Sequence, residues 1–184
     1  MEIKDKGMTH ADSVLTLKRN AIMLNLCDEY RTLWDNADNV DKLMDIAMSA
    51  NGAEFIAASS NTEWGLTTEY IQNKFPTFIN GKYIHRHKKG YTSEMYAGHN
   101  GRIYARTTVL VIIGCKAEIY VPKGQYTNIF IDKDSINRTS VECDGYCNIN
   151  MYNNKNNGTV TTSGKGKISI NNMIKENGKM AWTH

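Results

Sequence analysis

The sequence predicts an α+β protein: a cluster of short N-terminal helices packed on a C-terminal β-solenoid-like region of about 20 residues per coil. Three observations predict it. Thr107–Cys115, TTVLVIIGC, is apolar on successive residues and so reads as a strand covered on both faces. Before it, apolar residues recur at helical spacing. After it, short apolar-x-apolar dyads recur at a near-constant stride. One series, Val109/Val111, Ile129/Ile131, Ile149/Met151 and Ile168/Ile170, advances by 20, 20 and 19 residues. An interleaved series, Ile119/Val121, Val141/Cys143 and Val160/Thr162, advances by 22 and 19. Two strands per coil at this stride is the pattern of a flattened solenoid. Evenly spaced short strands are equally the signature of an antiparallel β-sandwich or jelly roll, which stands as the alternative.

Taken in order, the chain divides into a helical subdomain at 1–76, two β-hairpins with a basic loop at 77–106, and the solenoid-like region with a C-terminal cap at 107–184, as one compact unit. Asp12 or Ser13 can cap a first helix, in which Val14, Leu17, Ala21, Leu24, Tyr30, Leu33 and Trp34 recur at helical spacing up to about Asp35. Asp38 or Asn39 can cap a second, Val40–Ala50, ended by Asn51-Gly52 in the left-handed conformation that stops many helices. Glu54–Ser59 reads as a short third helix. Thr67 caps a fourth, which Pro76 ends. Asn80-Gly81 and Asn100-Gly101 each carry a two-residue hairpin signal, and HRHKKG between them reads as an exposed loop.

Within the solenoid reading, each dyad points inward and the residue between points out. The outward residues of the first series are Leu110, Phe130, Asn150 and Ser169, apolar at the start and polar at the end. An apolar outer face must be covered, and the upstream helices are the covering expected, shielding the first open edge as well. The second series shows Tyr120, Glu142 and Thr161 outward, an open face for a partner. Asparagines are expected at the corners, bonding coil to coil. Met173, Ile174, Met180 and Trp182 can cap the last coil or dock on a second subunit, so oligomerisation through the C-terminal end is an expectation.

Composition narrows function by exclusion. The chain has 184 residues, 41% apolar and 22% charged, with net charge +3. No run is long enough to span a bilayer, and the N-terminus lacks a signal-peptide core, so a cytoplasmic or virion-associated protein with no membrane partner is expected. Residues 1–79 hold seven Lys/Arg against twelve Asp/Glu, while 80–184 hold fifteen against seven. Cys27, Cys115, Cys143 and Cys147 lack redox or zinc-ribbon spacing and read as reduced, buried thiols.

No nucleophile elbow, P-loop, HExxH or dinucleotide fingerprint occurs, so no catalytic residue and no cofactor is assigned, and an enzyme is disfavoured. The basic segment Lys82, His85, Arg86, His87, Lys88 and Lys89, flanked by Tyr83, Tyr91 and Tyr96, has the mix of cations and aromatics that tracks nucleic acid. His85 and His87 alternate and would share one face of a strand, but no third ligand follows at a recognisable spacing, so no metal site is assigned. The pairs Asp132/Asp134 and Glu142/Asp144 could act as acid and base or bind calcium, though corner carboxylates are more often simply solvated. Tyr104, Tyr120, Tyr126, Tyr146 and Tyr152 are expected on or beside the strands, where tyrosine suits protein interfaces and sugar stacking.

The segments NGAEFIAAS (51–59), FINGKYI (78–84), GYTSEMYAG (90–98) and TTVLVIIGC (107–115) resemble a group of uncharacterised small proteins from phages and mobile elements of gut Bacteroidales. The similarity covers about residues 24–170. These motifs are turns, a helix end and a core strand, so the resemblance implies a context and carries over no activity. The expected function is a non-enzymatic protein-binding or accessory protein, engaging a host or defence protein or a virion component. Tyr120, Glu142 and Thr161 with Lys82–Lys89 are its expected contacts. A nucleic-acid binder using residues 82–89, and a glycan-binding or glycan-cleaving solenoid, are the alternatives.

Overall fold

A computed structural model describes residues 28–59, 81–153, 158–176 and 179–183. Helices α1 (Asp28–Asp35), α2 (Val40–Ala47) and α3 (Ala50–Ser59) come first. The described strands are β1 (Lys82–Arg86), β2 (Thr92–Ala97), β3 (Asn100–Tyr104), β4 (Val109–Ile113), β5 (Lys116–Val121), β6 (Tyr126–Ile131), β7 (Thr139–Cys143), β8 (Tyr146–Asn153), β9 (Thr161–Ser163), β10 (Lys167–Glu176) and β11 (Lys179–Thr183). The start of the expected first helix, the fourth helix at Thr67–Pro76 and the strand before Asn80-Gly81 lie outside the described residues.

From β2 to β10 the chain alternates between two sheets, and each strand pairs in parallel with the strand two ahead. The sheets run β1-β2-β4-β6-β8-β10-β11 and β3-β5-β7-β9. This is a β-solenoid of about four turns with roughly 20 residues per coil, and the antiparallel sandwich is set aside. The ribbon starts at β2, a coil earlier than residue 107. Asn100-Gly101 therefore marks no hairpin, because β2 and β3 lie in different sheets and the turn between them is a solenoid corner.

Register columns line the interior. Leu110, Ile129 and Ile149 are buried in the large sheet and Ile103, Ile119 and Val141 in the small one, each column continuing to an exposed residue of the last coil, Ile170 and Thr162. The expected dyads hold this parity except on β4. There Leu110 and Ile112 point inward, while Val109, Val111 and Ile113 point out against the helices. The reason is plain in the segment VLVII: with every residue apolar and fully buried, nothing in the sequence distinguishes the two faces.

The helices cover the outer face of the large sheet. Trp34, Leu43, Met44, Ala47, Met48, Ala53, Ile56 and Ala57 pack there with Met95, Val109, Val111, Ile113, Phe130 and Tyr152. Among the described residues, the first edge of the large sheet is covered by β1, antiparallel on β2. Asn39 caps α2, its side chain accepting from Lys42 N–H at 2.9 Å. Asn51-Gly52 does not stop a helix and lies inside α3. The glycine is needed for close approach, since a methyl group there would meet the Ile46 carbonyl oxygen at 2.0 Å. Ser49 opens α3 by accepting from Gly52 N–H at 3.1 Å.

Where the helices end, the same outer face turns polar. Asn148 donates to Asn128 at 3.4 Å, and Asn171 donates to Asn148 at 2.9 Å and to Asn150 at 3.1 Å. These coil-to-coil amide bonds run along the strands, in addition to the corner bonding expected. At the corners, Asp132 and Ser135 bond the Gly114 and Cys115 N–H groups of the preceding coil, and Asn137 accepts from Thr159 N–H. Cys115, Cys143 and Cys147 are buried free thiols. At the other end of the chain, β11 pairs antiparallel with the second half of β10 and extends the large sheet.

Candidate metal centre

Strand alternation decides where the chemistry collects. In β1, Tyr83 and His85 face the helices while Ile84 and Arg86 point away, and His87 keeps the same parity just beyond the strand. The segment expected as an exposed loop is thus a strand followed by a turn. The turn is closed by His87 N–H to Tyr91 O and Gly90 N–H to His87 O, both 2.9 Å. Arg86, Lys88 and Lys89 are exposed as expected, but His85 and His87 are buried.

From the opposite side, α2 supplies Asp45. Its Oδ1 lies 2.7 Å from His85 Nε2 and 3.5 Å from His87 Nδ1. The three ligand atoms fall within 4.8 Å of one another. A tetrahedral ion bonded at about 2.0–2.1 Å spaces its ligand atoms about 3.3 Å apart. The Asp45–His87 separation already matches, and the Asp45–His85 pair must open by about half an ångström.

Second contacts hold the two imidazoles in different ways. Ser93 Oγ donates to the Met48 carbonyl at 2.8 Å, so its own oxygen is free only to accept. It lies 2.8 Å from His87 Nε2 and, with its proton on the Met48 carbonyl, accepts from that nitrogen. His87 Nδ1 is then left unprotonated, 3.5 Å from Asp45 Oδ1. Burial, reinforced by the nearby His85, lowers the His87 pKa and keeps the ring neutral at pH 7. His85 is held differently. Its Nδ1 lies 3.2 Å from Tyr83 OH, a group able to donate or accept. Burial, then the charges of Asp41 and Asp45, push the Tyr83 phenol up to about 12, so it stays protonated. His85 can therefore offer Nε2–H to Asp45, or move that proton to Nδ1 and present Nε2 as a lone pair. Tyr91 stacks on His87 at 3.9 Å and locks the ring plane.

The other expected contacts lie on the small sheet, apart from this cluster. Tyr120 and Glu142 are register neighbours, but Thr161 is paired with Ser140 and sits one row over. Tyr120 OH donates to Asp144 at 3.1 Å, and Arg102 lies 3.8 Å from Glu142. Lys82 pairs with Glu94 at 3.0 Å. Asp45 was not foreseen: it lies 40 residues before His85 on another element, and no sequence spacing links the two. Comparison with family models, curated proteins and solved structures gave no match.

Proposed function

We propose that the protein binds a divalent first-row metal ion, zinc above all, through Asp45 Oδ1, His85 Nε2 and His87 Nδ1. The observation that carries this reading is the convergence of these three ligand atoms within 4.8 Å of one another, two of them on buried rings. A cation placed among them would bond all three. Two imidazoles and a carboxylate form a borderline donor set suited to zinc, and the buried hydrogen bonds from Ser93 and Tyr83 are the outer contacts that such ligands require. Three protein ligands leave a position for an exogenous group. The ion would also tie α2 to β1, so binding stabilises the docking of the helical layer.

Isothermal titration of the metal-free protein with Zn²⁺ tests this. One equivalent is expected to bind, with a rise in melting temperature that His87→Ala abolishes. Ser93→Ala frees the His87 tautomer and is expected to weaken binding about 10- to 100-fold. Equal zinc affinity in wild type and His87→Ala would sink the reading.

A second reading is favoured by the outer face of the small sheet, where Arg102, Tyr104 and Glu142 are exposed and Tyr120 is half-buried. It supports a protein-binding role, in which the phage or host-defence context implied by the resemblance would place the partner. Tyr120→Ala with Glu142→Ala is expected to lose partner capture from host extract.

A further inference from the structure

We propose that the open coordination position takes an organic oxyanion, a carboxylate or phosphate group on an apolar body, held by Lys88 and Lys89 in the cleft between α1 and the β1–β2 turn. This rests on the metal reading above and adds the class of ligand.

The ligand atoms are not equally enclosed. The His85 and His87 side chains are 10% and 4% exposed, and Asp45 is 25% exposed, so the site opens on the carboxylate side. Two clefts meet there, and both are lined by Asp45 and Lys88. The first also carries Asp41 and Arg86, and its mixed charge gives an anion little advantage. The second, of about 350 Å³, is walled by Tyr30, Leu33, Ile46 and Tyr91, with Lys88 and Lys89 at its rim. That volume lies at the lower end of small-molecule sites.

Charge selects the head group. A divalent ion with one carboxylate and two neutral imidazoles carries a net +1. Neither Lys88 nor Lys89 has an ion-pair partner among the described residues. An anion arriving at the metal is met by two further cations, whereas a neutral ligand gains nothing from them. The cleft wall selects the body. Leu33 is 44% exposed there, an apolar side chain with no covering in the described structure. An aryl or alkyl group attached to the oxyanion covers it. Inorganic phosphate fills the open coordination position and leaves the wall wet.

The test uses Co²⁺ in place of zinc, because its visible d–d spectrum responds to a new oxygen ligand. Phenylphosphonate is expected to change the spectrum at micromolar to low millimolar concentration, with inorganic phosphate at least about tenfold weaker and benzamide without effect. Lys88→Ala with Lys89→Ala should weaken phenylphosphonate by about tenfold or more while leaving Co²⁺ affinity unchanged. Leu33→Ser should close the gap between phenylphosphonate and phosphate. If Co²⁺ binds but no anion perturbs it, or if phosphate and phenylphosphonate act equally on wild type, this inference is overturned and the metal site stands. If Co²⁺ does not bind, the metal reading itself has failed.

Discussion

The outer faces of the two sheets share one coil geometry and carry opposite chemistry. On the large sheet β4 presents Val109, Val111 and Ile113, all fully buried beneath the helices. On the small sheet β5 presents Lys116, Glu118 and Tyr120, all at least partly exposed. Both strands are held by parallel pairing and by an inward apolar row. The coil is therefore set by its interior and its corners, and the outward row decides what may lie against it. The candidate metal ligands sit where the covered face meets the helices, which is why both histidine rings are buried.

The sharpest break of this comparison is a change of charge on each face, gained on one and removed on the other. Val111→Asp places a carboxylate under α3 with no partner and is expected to cost about 3–5 kcal/mol. Glu118→Gln, a coil position with the opposite outlook, is expected to change stability by less than about 0.5 kcal/mol. Urea denaturation followed by circular dichroism measures both. Similar losses in the two variants would mean that the helices are not what distinguishes the faces.

Corners belong to both sheets, and Asp132 tests how far they set the coil. It is buried, accepts from Gly114 N–H at 3.1 Å and from Ser135 N–H at 3.0 Å, and receives the Ser135 hydroxyl. Burial raises its pKa from 3.8 to about 6 against the opposing pull of these donors. The folded chain then holds this proton more tightly than the unfolded one. The contribution is fully present below about pH 4 and is lost as pH rises through about 6. With a little under two pH units at stake between pH 4 and pH 7, the stability of wild type relative to Asp132→Asn is expected to fall by about 2 kcal/mol over that range. A difference that stays level, or rises, would show that the hydrogen bonds outweigh burial.

Much of this comparison was legible in the residues, and the gaps have physical causes. The stride of Ile129, Ile149 and Ile168 gave the coil, because an interior one side chain deep forces the same parity on every turn. The outward Phe130, Asn150 and Ser169 announced a cover that ends partway. β4 was misread by one position because a strand buried on both faces carries no alternation. Asn51-Gly52 was misread because a glycine required by helix–helix approach has the same letters as one required by a left-handed stop. The candidate metal site was half legible, as His85/His87. Its third member comes from a helix whose position over β1 is a property of the whole fold.

The smallest effect expected belongs to the uncovered face. Arg102 and Glu142 lie 3.8 Å apart with about half of each side chain exposed, so solvent screens the pair and its contribution to folding is at most about 1 kcal/mol. Tyr120 adds an edge contact to Tyr104 and a bond to Asp144, both open to water. Tyr120→Ala with Glu142→Ala should therefore leave the melting transition cooperative and shift stability by no more than about 1 kcal/mol, even if partner capture is lost. A large loss of stability from this pair would mean that the small sheet's outer face holds the coil together. In that case the contrast with the large sheet would be one of exposure without a difference in role.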